Sequence, residues 1–209
     1  MSYHHGDLKS ALLDRAEDVI AEHGLEAVKL SSLARDLGVS HSAPGRHFKD
    51  RMALLVELAI RALEMLMHDI NDAKGMSDPS PRVRLNTLLK VQIESVIKRP
   101  AHYYLLGSAE ISLAAGERYD TMIAAYTELH QRCTRDAQAD GWRADENADD
   151  VAILALALTI GLQTNAHFSR KAKGKLTRNT LVKGTKDVRN VLKAIDLFIP
   201  CEGPAGNGD

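Results

Sequence analysis

Apolar residues recur along this chain with the period of a helix, and no stretch alternates long enough with the period of a strand to argue for a sheet. From about Asp7 to His23 the stripe is Leu8, Ala11, Leu12, Ala16, Val19 and Ile20, and Gly24 stops it. Leu30, Leu33, Ala34 and Leu37 then place apolar groups on one face of a second helix. Gly38 follows, where a helix can end in a left-handed residue at least cost to glycine. Val39 is apolar and can plug the angle to a short third helix that Ser40 can cap and Phe48 anchors. Further on, helical periodicity runs over Met52–Ala73, Arg82–Lys98 (stopped at Pro100), His102–Leu113, Arg118–Asp140 (stopped at Gly141), Ala148–Phe168 and Leu181–Ile199. Asn71 through Pro81 is a polar turn region and the expected domain boundary, and Glu202–Asp209 is a Gly/Pro-rich tail. The pattern predicts an all-α protein.

The segment KLSSLARDLGVSHSAPGRHFKDR, Lys29 to Arg51, joins two short helices through a Gly-Val turn. This is the sequence form of a helix-turn-helix, whose second helix enters the DNA major groove. The third helix is expected to be short and weakly stable alone. Pro44 lacks an N–H, which does least harm near the end of a first turn. Gly45 costs a helix about 1 kcal/mol relative to alanine.

With AEDVIAEHGLEAVKLSSLARDLGVS, the His47-Phe48 pair and DRMALLVELA, the first sixty residues resemble the N-terminal domain of the TetR family of bacterial regulators. The opening MSYHHGDLKSALLDRA and the string SHSAPGRHF resemble one branch of it, whose C-terminal half is called the WHG domain. His4-His5 therefore reads as native sequence. Two positions depart from the family: Lys29 stands where Thr or Ser opens the second helix, and Gly45 where a Tyr grips a phosphate. In the penultimate helix the branch carries a Trp and a His-Gly pair; Leu156 and Ile160-Gly161 stand in those places, and only the glycine is kept. Trp142 lies elsewhere and is expected to cover a helix end.

The resemblance implies a three-helix DNA-binding head over residues 1–51. It also implies a larger helical regulatory and dimerisation domain over 52–200, with a connecting helix over 52–73, and a flexible tail over 201–209. It implies a homodimer built on the last two long helices, binding a palindromic operator in double-stranded DNA. Repression is the commoner family outcome, with release by a small-molecule effector bound among the middle helices. The residues agree in one respect: VAILALALTIGL, within the helix from Ala148, has more apolar surface than one core contact uses.

Ser40, His41, Ser42 and Ala43 would face base edges, the serines as permissive donors and acceptors and the Ala43 methyl toward a thymine methyl. Arg46 can meet guanine with two hydrogen bonds, or a phosphate. Lys29, Ser31, Ser32, His47 and Arg51 would hold phosphates by charge or at a helix start, with Gly45 among them. Capping is the alternative for the serines, and exposure without contact for His41 and His47. Effector candidates are the polar or soft side chains of otherwise apolar helices: Met65, Tyr103, Tyr104, Met122, Tyr126, His130, Gln163 and His167. Each taken singly can equally be ordinary core.

Composition narrows this picture. A net charge of −1 carries no general signal for nucleic acid, and the head's only basic spot is Arg46, His47, Lys49 and Arg51. A denser basic run from Arg170 to Lys193 reads as a solvated loop and helix face, which the acidic Asp136–Asp150 segment could meet across a dimer. Two cysteines far apart build no disulfide framework, and with no hydrophobic leader or bilayer-length apolar run the expected setting is the cytoplasm, away from membranes. No phosphate loop, HExxH, nucleophile elbow or metal-spaced Cys/His set is present, so neither catalysis, cofactor nor metal is expected. The competing reading is another non-enzyme: a TetR-shaped dimer that binds a small molecule or protein and has lost strong DNA reading.

Overall fold

The structure, a computed structural model, describes residues 8–171 and 188–201. Asp7, His4-His5, most of the basic run, the expected helix start at Leu181 and the tail from Glu202 lie outside the described residues. All regular elements among the described residues are helical: α1 (Leu8–His23), α2 (Leu30–Asp36), α3 (Arg51–Asp72), α4 (Pro81–Lys98), α5 (Pro100–Leu106), α6 (Ala109–Ala114), α7 (Glu117–Ala139), α8 (Ala148–Lys171) and α9 (Val188–Phe198).

Local chemistry sets most of these boundaries. Gly38 adopts φ 68°, and its N–H and that of Val39 reach back to the Arg35 and Ala34 carbonyls at 3.1 and 3.0 Å. That bond pair is a Schellman cap, and its left-handed residue favours glycine. The Asp50 carboxylate accepts the Ala53 N–H at 2.8 Å and caps α3. Asp50→Ala is therefore expected to lower stability by about 1 kcal/mol, read as a shift in urea midpoint at unchanged slope.

The single helix expected over His102–Leu113 is two. A Cβ on Gly107 would lie 2.8 Å from the Tyr103 carbonyl, so the chain turns tightly there. The Ser108 hydroxyl then starts α6 by accepting the Ile111 N–H at 3.3 Å.

The chain forms two compact units, one of Met1–Met65 with Arg99–Thr121, the other of Leu66–Lys98 with Met122–Asp209. The division falls within α3, at the C-terminal end of α4 and within α7. In the first unit, Leu12, Ala16 and Ile20 of α1 are buried, as are Leu33, Phe48, Leu54 and Leu58. Ala101, His102 and Leu105 of α5 are buried too, and α5 packs on α1. His102 Nε2 lies 3.8 Å from the half-buried Glu17 carboxylate of α1. Burial raises the Glu17 pKa above the usual carboxylate value, while Arg61 pulls it down.

In the second unit, α4 packs on α8 and α9, and its Leu85, Leu88, Leu89 and Ile93 are buried. Asn86 fixes the C-terminal end of α9, donating to Asp196 Oδ1 and the Ile199 carbonyl at 3.0 Å each. Trp142 covers the end of α7, with its ring 5.5 Å from that of Phe198.

Candidate nucleic-acid interface and effector cavity

The reading element is the main local departure from the sequence expectation. In place of a third α-helix the chain makes a turn, closed by the Ala43 N–H on the Ser40 carbonyl at 2.9 Å, and then a 3-10 turn over Pro44–Arg46. Its physical cause is legible: Pro44 cannot donate, Gly45 adds backbone entropy, and the serines compete for backbone groups. The segment is anchored by burial of Pro44 and Phe48. Both the His47 and Phe48 N–H groups bond the Pro44 carbonyl at 2.9 Å. Ser40 does not cap it; its hydroxyl lies 3.5 Å from that of Ser42.

Anchoring two residues leaves the others outward. Ser40, His41, Ser42, Gly45, Arg46, His47 and Lys49 are exposed, and Ala43 is half-buried. On α2, Ser31 is exposed and Ser32 half-buried. Lys29 is exposed at the N-cap position, and no side chain caps the helix. Arg51 is placed differently. Its guanidinium donates to the Leu25 and Val28 carbonyls at 2.8 and 3.2 Å and meets Glu26 at 3.2 Å. Those bonds tie the start of α3 to the α1–α2 connection, so Arg51 positions the head from within. Arg46 and Lys49 are the exposed cations beside the reading turn. A Cβ on Gly45 would meet nothing within 4 Å, and its backbone is not left-handed, so a larger residue fits.

The effector candidates divide between the units. Met65, Tyr103 and Tyr104 belong to the first, the two tyrosine rings edge to face at 5.5 Å. Met122, Tyr126, His130, Gln163 and His167 belong to the second. There Tyr126 and His130 of α7, with rings 5.3 Å apart, line a cavity of about 360 Å³ against Asp149, Ala152, Ile153 and Leu156 of α8. Gln163 does not line it but is linked to it. Its amide donates to the Gln92 carbonyl at 3.0 Å, and the Gln92 side chain meets His130 Nε2. Burial lowers the His130 pKa to about 4, so the ring is neutral near pH 7.

Gln92 and Asp149 were not visible as site residues in the sequence. Gln92 is one of two amides, with Asn86, among the leucines and isoleucines of α4, and that was the available signal for it.

Residues 12–58 match the family model described as bacterial regulatory proteins, tetR family. No curated protein matches the chain. Among solved structures, a protein of unknown function from Rhodococcus sp. RHA1 is similar at 29% identity, covering 95% of this chain and 96% of that one, with a TM-score of 0.72. A TetR-family transcriptional regulator from Rhodococcus sp. matches at 23% identity over 91% and 97% of the two chains, TM-score 0.62. The ketosteroid transcriptional regulator KstR2 of Mycobacterium tuberculosis matches at 17% identity over 94% and 95%, TM-score 0.68. A helix-turn-helix head followed by a larger helical part is the architecture of bacterial transcriptional regulators of this kind. Residues 12–58 are a head of the TetR family type, and the rest of the chain shares the fold of those solved structures.

Proposed function

We propose that this protein is a repressor that binds a palindromic operator as a homodimer in the cytoplasm and leaves it when a small molecule enters the helical domain. The observation that carries the proposal is the reading turn: a family head whose Ser40–Ser42 and Gly45–His47 are all exposed on a segment pinned by Pro44 and Phe48. In this reading Ser40, His41, Ser42 and Ala43 face bases, Arg46 meets guanine, and Lys29, Ser31, His47 and Lys49 meet phosphates. One such head offers few contacts. Two heads about one DNA turn apart double them and supply the selectivity that a genome of competing sites demands. The dimer forms through α8 and α9, and the effector occupies the Tyr126–His130 cavity.

The 3-10 reading turn and Gly45 favour a second reading, in which the dimer keeps its ligand and reads DNA weakly. Two substitutions separate them, measured by fluorescence anisotropy on the protein's own upstream DNA. Arg46→Ala is expected to cost about 1–3 kcal/mol of selective binding, roughly ten- to a hundredfold, without changing dimer mass. Unchanged selectivity would remove Arg46 from the reading set. Gly45→Tyr, which has open space around it, is expected to strengthen binding several-fold by adding one phosphate contact. Equal affinity would mean that Gly45 is no defect.

A further inference from the structure

We propose that the α7–α8 cavity takes an uncharged, largely apolar molecule bearing a hydroxyl group, and discriminates against carboxylates and amines of the same shape. This rests on the reading of the cavity as the effector site and adds the chemical class of the effector.

The walls supply the apolar part. Ala152, Ile153 and Leu156 line it together with the Tyr126 and His130 rings, around a volume suited to a small organic molecule. The polar part is sparse and specific. Thr127 and Gln131 also line the cavity; the Thr127 hydroxyl is spent on the Ile123 carbonyl at 2.9 Å, and Gln131 adds one neutral amide. Among the described residues the Tyr126 hydroxyl has no hydrogen-bond partner. His130 Nε2 is taken by Gln92, which leaves Nδ1 as the open polar atom of that ring. Whether Nδ1 carries the proton depends on which way the Gln92 amide faces. A ligand hydroxyl both donates and accepts, so it satisfies either tautomer and the Tyr126 hydroxyl as well.

Charge decides the rest. Among the described residues no lysine or arginine lines the cavity, and its one ionised group is the Asp149 carboxylate. The imidazole is neutral, because burial disfavours its charged form. A ligand carboxylate would find only neutral donors, the Tyr126 hydroxyl and the Gln131 amide, beside the like charge of Asp149, with no cation to balance its own charge. An ammonium group has only Asp149 to meet, and that side chain is exposed, where a single ion pair is worth little.

The test is calorimetric titration of the full-length protein with three probes on one scaffold: 2-naphthylmethanol, 2-naphthoate and 2-naphthylmethylammonium. The alcohol is expected to bind about tenfold or more tightly than either ion, since each ion is desolvated without a full partner. Tyr126→Phe and His130→Phe should each weaken the alcohol about fivefold, the loss of one hydrogen bond. Tyr126→Phe is the milder change and keeps the test valid if His130→Phe misfolds. Binding of either ion as tight as the alcohol, no binding by any probe, or an alcohol affinity unmoved in both variants overturns the proposal. Anisotropy of the same preparations on upstream DNA, run in parallel, separates this from the regulator reading: selective DNA binding stands or falls whatever the probes do.

Discussion

Ile160→Asp is expected to break the proposed homodimer into monomers and to lower operator affinity by about a hundredfold or more. The argument begins on α8. Val151, Ala155 and Thr159 are buried, whereas Ile153, Leu154, Leu156 and Ile160 are 66, 46, 42 and 51% exposed. Leu197 of α9 is 85% exposed. Scattered apolar residues on a surface need no explanation, but Ile153, Leu156 and Ile160, at i, i+3 and i+7, share one helix face: Ile153 and Leu156 wall the cavity there, and Ile160 extends the face beyond it, where a partner can pack. Fully burying each large aliphatic side chain against a partner would contribute about 1.5–3 kcal/mol. In a two-fold interface every residue appears twice, so one Asp places two charges in it. Ile160 stands in solvent in the single subunit, so the fold should survive the change. Sedimentation equilibrium reads the outcome. A variant that stays dimeric with native operator affinity would move the interface away from this face of α8.

The second large effect is on pH stability. His130 is 6% exposed, and burial depresses its pKa from the ordinary 6.5 to about 4. A histidine whose folded-state pKa is lowered takes up its proton more readily in the unfolded chain. Stability should therefore be fully present above about pH 6.5 and decline as pH falls toward 4, by on the order of 3 kcal/mol across that window. Urea denaturation at steps between pH 7 and 4, with His130→Phe as control, checks the sign and the source. The native protein should lose stability more steeply than the variant. Parallel slopes for the two would show that His130 is not the titrating group.

Helix periodicity made the fold legible almost throughout. The Gly38 stop, the Phe48 anchor and the position of Trp142 over a helix end followed from residue type and spacing, because caps and apolar stripes are local. Two features were less legible for opposite reasons. The reading element shortened to a 3-10 turn because Pro44 and Gly45 outweigh the helix pattern around them, an effect the sequence contained as a weakness but not as a geometry. The break at Gly107 arises from a close approach to the Tyr103 carbonyl, which only the folded backbone creates. At the candidate sites, residue identity marked Arg46 and Arg51 alike as cations for DNA. Arg51 instead faces the Leu25 and Val28 carbonyls, a partner choice set by tertiary contact over more than twenty residues of chain. Among the effector candidates, Tyr126 and His130 come together because they are one helical turn apart on α7. Gln92 joins them from α4, beyond the reach of any local pattern.

The central claim is sequence-selective DNA binding by this head. Its most direct test is fluorescence anisotropy of the purified protein against its own upstream DNA and a scrambled duplex, each at two salt concentrations. The account predicts tighter binding to the upstream DNA, weakening as salt rises because Lys29, Arg46 and Lys49 displace counterions from phosphates. Equal binding to both duplexes, or none to either, would contradict it and leave a TetR-shaped dimer whose work is done by the cavity alone.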